Sequence, residues 1–316
     1  MEKKSLVFMK TDISNSKNNP AITGIFAPVP TPFDGEENIY FEKFEENLHK
    51  WALTPLTGIV VLGSNGEFVS LSGREKVDVI SFVRENFPAD RPVIAGTGCE
   101  STIETIRLTR EASDAGVQAA LVVNPRYYRS AMTDQALEAH YFRIADSSAV
   151  PIMIYNMPGN TGINMSADLL VKLSQHPNIQ GVKDSGGNIV QISSVIKGTS
   201  SDFSVFAGSG SYLLPVLLMG GVGATMAVAN VAPEHCVNIC KAFQNGDMEK
   251  ARNMQLDLLD LNTAVTKKYG IAGLKYVLDR RGYYGGPCRM PLAPLSSDSK
   301  HEVDIILEKF DSISYQ

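Results

Sequence analysis

Eight short apolar runs, rich in Val and Ile, recur along the chain at a near-regular interval. They are "GIFAPVP" (24–30), "GIVVLG" (58–63), "PVIAGTG" (92–98), "AALVVN" (119–124), "PIMIYN" (151–156), "IQGVKD" (179–184), "FSVFAGS" (203–209) and "GATMAVAN" (223–230). Each is continuously rather than alternately apolar, so each must be buried on both faces, as strands of a parallel sheet are. A polar or glycine turn follows each run, and then an amphipathic stretch such as "SGREKVDVISFVREN" (72–86) or "STIETIRLTREASDAG" (101–116). Ser72 with Glu75 three residues later is a capping-box start for the first of these helices. Alternating strand and helix implies right-handed βαβ units. Eight such units predict an α/β fold, a (β/α)8 TIM barrel over residues 22–235. Past residue 235 no further strand signal follows. "PEHCVNICKAFQNGDMEKARNMQLDLLDLNTAVTKKYG" and "AGLKYVLDRRG" read as helices, which predicts a helical C-terminal extension over 236–316. The alternative, a two-domain doubly wound fold, lacks a G-x-G-x-x-G after its first strand and a Walker A lysine.

Composition narrows the partners. A chain of 316 residues that is 44% hydrophobic and 20% charged, with net charge -5 and no basic cluster, offers nothing to nucleic acid or an anionic membrane. No apolar run reaches membrane-spanning length. The four cysteines (Cys99, Cys236, Cys240, Cys288) make no C-x-x-C pair, which suits reduced thiols in a cytoplasmic protein. His235, Cys236 and Cys240 read as one helix with buried cysteines rather than as a metal site. Residues 1–21 are polar and rich in Ser, Asn and Lys, and are expected to be a disordered tail. They contain no arginine and include Glu2 and Asp12, so they support a mitochondrial transit peptide poorly.

One residue breaks the pattern of the sixth run. Lys183, in "IQGVKDSGGN" (179–188), is an ammonium on a buried strand, which costs several kcal/mol unless it pairs, snorkels or loses its proton. Its stem could pack while its head reaches water or Asp184. Alternatively the amine is kept neutral so that it can attack a carbonyl. In a TIM barrel the chemistry sits at the C-terminal strand ends. Those positions hold Thr31, "GSNGE" (63–67), "RYY" (126–128), Tyr155, Lys183 and "GSGS" (208–211). Their convergence favours the catalytic reading of Lys183. Tyr155 is then a proton carrier rather than a core tyrosine with a satisfied hydroxyl. The glycines beside Ser64 and Asn65 expose backbone N–H groups that can hold a carboxylate, where the bland reading is a tight turn. Gly208 opens a stretch that lets a ligand approach the backbone.

With these residues assembled, the chain resembles the dihydrodipicolinate synthase and N-acetylneuraminate lyase superfamily of Schiff-base aldolases, from about Gly24 to Leu295. "GSNGE", "YNMPGNTG" (155–162) and "GVKDSGG" (181–187) carry the resemblance. Within that superfamily it is most similar to 4-hydroxy-2-oxoglutarate aldolase, through "GSNGEF", "GCEST", "LSQHPNI", "KDSGG" and "RRGYYGGPCRMPL". The resemblance implies an imine on Lys183, acid/base work by Tyr155, and a 2-oxo acid carboxylate held at Ser64 and Asn65, with Ser185 and Gly208 lining the substrate site. Tyr127, or its neighbour Tyr128, matches a relay tyrosine that reaches a neighbouring subunit's site, which implies a homotetramer of tight dimers. Dihydrodipicolinate synthases place an arginine in the strand 5 motif to hold a substrate carboxylate; here that position is Asn160, and an amide is no bidentate cation.

The expected reaction is therefore reversible cleavage of 4-hydroxy-2-oxoglutarate to pyruvate and glyoxylate, with a small-molecule 2-oxo acid as partner and no metal or organic cofactor. Three alternatives stand beside it: an aldolase for a longer 2-keto-3-deoxy sugar acid, a Schiff-base dehydratase, and a non-catalytic 2-oxo acid sensor. A sensor would need neither Lys183 nor Tyr155.

Overall fold

A computed structural model describes residues 22–313, so the expected tail over 1–21 lies outside the described residues. Eight parallel strands close into a barrel in chain order, β1 to β8. They are β1 (Gly24–Pro28), β2 (Gly58–Val61), β3 (Val93–Gly96), β4 (Ala119–Val123), β5 (Ile152–Asn156), β6 (Ile179–Asp184), β7 (Ser204–Ala207) and β8 (Gly223–Thr225). The outer helices are α1 (Phe41–Ala52), α2 (Gly73–Asn86), α3 (Thr102–Asp114), α4 (Asp134–Ser147), the one-turn α5 (Pro158–Thr161), α6 (Ala167–Leu173), α7 (Ile189–Gly198), α8 (Leu213–Met219) and α9 (Pro233–Gln244). The capping box of α2 forms as expected: the Ser72 hydroxyl accepts from the Glu75 N–H and the Glu75 carboxylate accepts from the Ser72 N–H. This is the TIM barrel that the eight runs predict.

Two boundaries differ from the sequence reading. The last run continues to Asn230 but leaves the sheet after Thr225, its second half forming a 3₁₀ turn at Ala227–Asn230. The residues stay buried in either conformation, so their apolarity does not report the change. The Asn230 amide side chain donates to the carbonyls of Pro28 and Ala227, tying this turn to the C-terminal end of β1. Helix α9 runs across residue 235 and packs on β1 and α8, the place of the barrel's eighth outer helix. The break before the extension falls instead at the Asn245–Asp247 turn. The extension is α10 (Met248–Thr263), a π-helical turn (Ala264–Lys268), α11 (Gly270–Arg280) and α12 (Ser297–Asp311).

Side chains inside the barrel are ordered by register. Paired residues follow rows perpendicular to the tilted strands, and a level layer climbs about one residue per strand. Applied to the observed pairs, this puts Phe26, Ile94, Met153 and Phe206 of the odd strands in one layer. The next layer towards the C-terminal end is Val60, Leu121, Lys183 and Thr225 of the even strands, and above it lie Pro28, Gly96, Tyr155 and Gly208. Layers of four from alternate strands are what a packed barrel of this kind builds. Lys183 thus sits one layer beneath Tyr155, near the catalytic end.

Candidate active site

Strand alternation answers the question posed by Lys183. Consecutive residues of β6 face opposite sides. Asp184 points outwards, where its carboxylate accepts from the Asn156 side-chain amide at 2.8 Å and from the Gly186 and Gly187 N–H groups at 2.9 and 3.3 Å. It is not the partner of its neighbour. Lys183 points inwards, 3% exposed, with Nζ 4.1 Å from the centre of the Tyr155 ring, and no carboxylate forms an ion pair with it among the described residues.

Tyr155, beside it in register on β5, is also buried. Its hydroxyl lies 3.2 Å from Ser64 Oγ. Burial alone would push this phenol up. The Lys183 charge and hydrogen bonds with Ser64, Lys183 and Ser185 more than offset that, and the hydroxyl titrates below the ordinary tyrosine range. An acidified phenol against an amine is the pairing that proton transfer at an imine requires.

Ser64 and Asn65 begin a 3₁₀ turn (Ser64–Gly66) flanked by Leu62 and Glu67, both in left-handed backbone at φ 56° and 54°. Non-glycine residues held there cost of order 1–3 kcal/mol and need surrounding support. Thr31 Oγ1 donates to the Gly66 carbonyl at 2.8 Å. The Glu67 carboxylate is fully buried, with Oε1 2.6 Å from the Lys275 ammonium and Oε2 accepting from the Arg289 N–H at 2.9 Å. The extension therefore reaches across to hold this loop. It holds the β7 loop too: Asn262 Oδ1 accepts from the Gly210 N–H, and its amide donates to the Ser209 and Ser211 hydroxyls. Gly208 has to be glycine, since a Cβ there would stand 2.6 Å from the Asp184 carbonyl oxygen and 2.8 Å from Ser185 Cα.

The remaining predicted residues lie further out. Asn160 is exposed on α5. Tyr127 and Tyr128 are 79% and 73% exposed, stacked edge to face on one another, and neither meets Tyr155 or Ser64 within the chain. Beside α5 is a residue that the sequence reading missed. The exposed Arg129 guanidinium lies so close to Gly162 that a Cβ there would be 2.6 Å from its central carbon. It comes from the β4 loop, so no strand 5 motif could have flagged it. His235 donates from Nε2 to the Met254 carbonyl, and the four cysteines are free thiols. No cluster of three metal-ligating residues occurs among the described residues, nor any helix long and apolar enough to cross a membrane.

A closed eight-stranded barrel carrying this lysine and tyrosine at its C-terminal end is the architecture of a class I aldolase. The model of the dihydrodipicolinate synthetase family matches residues 21–310, and the chain belongs to that family of pyruvate-dependent lyases. It is 33% identical to a 4-hydroxy-tetrahydrodipicolinate synthase of Methanothrix thermoacetophila, covering 92% of this chain and 98% of that one. With the enzyme of the same name from Methanoculleus marisnigri the identity is 36%, over 90% and 98%. The crystal structure of a dihydrodipicolinate synthase from Bacillus anthracis superposes with a TM-score of 0.88 at 30% identity, covering 94% of this chain and 100% of that one. YagE, a prophage protein of the same family from E. coli K12, solved in complex with pyruvate, gives 0.86 at 28% identity, over 92% and 98%.

Proposed function

We propose that the protein cleaves 4-hydroxy-2-oxoglutarate reversibly to pyruvate and glyoxylate through an imine on Lys183. The observation that carries this reading is the buried Lys183 amine lying against Tyr155 with no carboxylate ion-paired to it among the described residues. The neutral amine attacks the C2 ketone, and loss of water leaves a protonated imine that serves as electron sink. Tyr155 then takes the C4 hydroxyl proton, the C3–C4 bond breaks, and its electrons flow into an enamine. Protonation at C3 and hydrolysis release pyruvate.

The choice of aldehyde rests on the mouth of the site. Asn160 supplies no cation from the strand 5 motif, whereas the Arg129 guanidinium, close against Gly162 of that same motif, is suited to the second carboxylate of a short substrate. The synthase activity for which the relatives are named is the second reading, favoured by their similarity. The two separate by measurement. Condensation of pyruvate with glyoxylate should exceed that with aspartate semialdehyde in kcat/KM, and Arg129→Gln should raise KM for 4-hydroxy-2-oxoglutarate while leaving borohydride trapping of pyruvate unchanged. A preference for aspartate semialdehyde would overturn the assignment.

A further inference from the structure

Thr225 is the last residue of β8, and the mechanism so far gives it no task. It pairs in register with Phe26, whose ring lies among the barrel-interior side chains. Ala224, before it, belongs to the outer core between sheet and helices. Alternation therefore turns Thr225 into the lumen. There it shares a layer with Val60, Leu121 and Lys183, and since β6 and β8 are successive even strands, it is the neighbour of Lys183 in that layer.

Its surroundings make the hydroxyl anomalous. Thr225 is 1% exposed, and its Oγ1 has no hydrogen-bond partner among the described residues. A buried hydroxyl left unpaired costs about 1–3 kcal/mol, and valine would fill the same space without that cost. The register makes the residue a layer neighbour of the reacting amine, on the side of Lys183 opposite the strand that carries Tyr155. During imine formation one new oxygen needs a donor there, the C2 oxygen of the bound 2-oxo acid.

Building on the Schiff-base reading of Lys183, we propose that Thr225 is a catalytic residue whose hydroxyl donates a hydrogen bond to the C2 oxygen of the 2-oxo acid until that oxygen leaves as water. The N–C2 bond forms as the carbonyl π pair moves onto oxygen, which takes one amine proton to give the carbinolamine. The oxygen then accepts a second proton, from the Tyr155 hydroxyl, and departs as water while the nitrogen lone pair closes the C=N bond. The products are a protonated imine, a phenolate and water, and Thr225 returns unchanged. The phenolate is then in place to take the C4 hydroxyl proton.

The test uses the full chain, pyruvate, and rapid quench into borohydride to follow imine formation on Lys183. Thr225→Val should slow imine formation about 10- to 100-fold, the rate equivalent of one hydrogen bond to a developing charge, while Thr225→Ser stays near wild type. In urea unfolding the valine variant should be at least as stable as wild type. An unchanged imine rate in Thr225→Val overturns the proposal, as does a stability loss in valine that serine restores, since that would make the hydroxyl structural. Slower carbon–carbon cleavage with normal imine formation also overturns it, placing the hydroxyl at the aldehyde half. Failure of wild type to trap pyruvate on Lys183 would sink the Schiff-base reading itself, which normal trapping with an unaffected valine variant would leave standing.

Discussion

Lys275→Met should be among the most damaging single substitutions in this chain, although the residue lies on the helical extension outside the barrel. Lys275 and Glu67 have side chains 1% and 0% exposed, with Nζ 2.6 Å from Oε1. The ammonium also donates to the Pro287 carbonyl at 2.7 Å and lies 4.6 Å from the centre of the Phe33 ring. Burial draws the Lys275 pKa down, and Glu67 opposes that pull. Removing the lysine leaves the Glu67 carboxylate buried with one backbone N–H and no cation. Breaking a pair of this kind costs about 3–5 kcal/mol, a large share of the roughly 5–15 kcal/mol that holds a domain together.

Replacing both partners is a different perturbation. Glu67→Gln with Lys275→Met removes both charges from a site that water does not reach, so the double variant should recover most of the loss. The coupling in the cycle should be about 2 kcal/mol or more. Urea unfolding with an unchanged m value is the assay. Because Glu67 closes the loop that carries Ser64 and Asn65, Lys275→Met should also raise KM for pyruvate while Lys183 can still be trapped. A single-variant cost below about 1 kcal/mol, or additive costs in the double, would refute the reasoning.

Tyr155→Phe should still trap pyruvate but lose about two to four orders of magnitude in cleavage rate, the usual contribution of a positioned acid/base; near-normal turnover would reduce Tyr155 to packing. His140, buried and bonded through Nδ1 to Thr102, is driven by burial down to about 4, with Glu100 opposing. The unfolded chain therefore takes up the proton first, so its stability contribution is complete above about pH 6.5 and falls by up to about 3 kcal/mol as pH drops to about 4. His140→Gln should flatten that limb of the urea midpoint against pH. Tyr127, exposed within its own chain, is expected to serve a neighbouring subunit: refolding Tyr127→Phe together with Lys183→Ala should restore partial activity in mixed oligomers, and activity no higher than the separate variants would refute sharing.

The barrel could be read from the sequence because a strand buried on both faces must be apolar throughout, and eight such runs leave few architectures. Strand ends were less legible. The segment Ala227–Asn230 is as buried as β8 itself, and burial selects side-chain chemistry without selecting backbone angles. Helix α12 was not read as a separate element, although Val303, Ile306, Leu307 and Phe310 form an i, i+3, i+4, i+7 stripe packed on the core.

Visibility in the site follows the same logic. Lys183 was legible because a cation on an apolar strand is chemically out of place. Thr225 was not, since threonine is an ordinary strand residue and only the register shows that it faces the lumen beside an amine. Glu67 and Lys275 are far apart in sequence, and each alone reads as a surface charge. These four residues have a common physical basis: each carries a polar group whose burial costs free energy that packing alone would not require. Lys183 and Thr225 sit inside the barrel where the 2-oxo acid is expected to react. Glu67 and Lys275 sit one shell out, fixing a turn whose left-handed residues would otherwise relax. The helical extension is thus part of the catalytic end of the barrel, so substitutions along its inner face should move stability and KM together, whereas Thr225→Val should move catalysis while leaving stability intact.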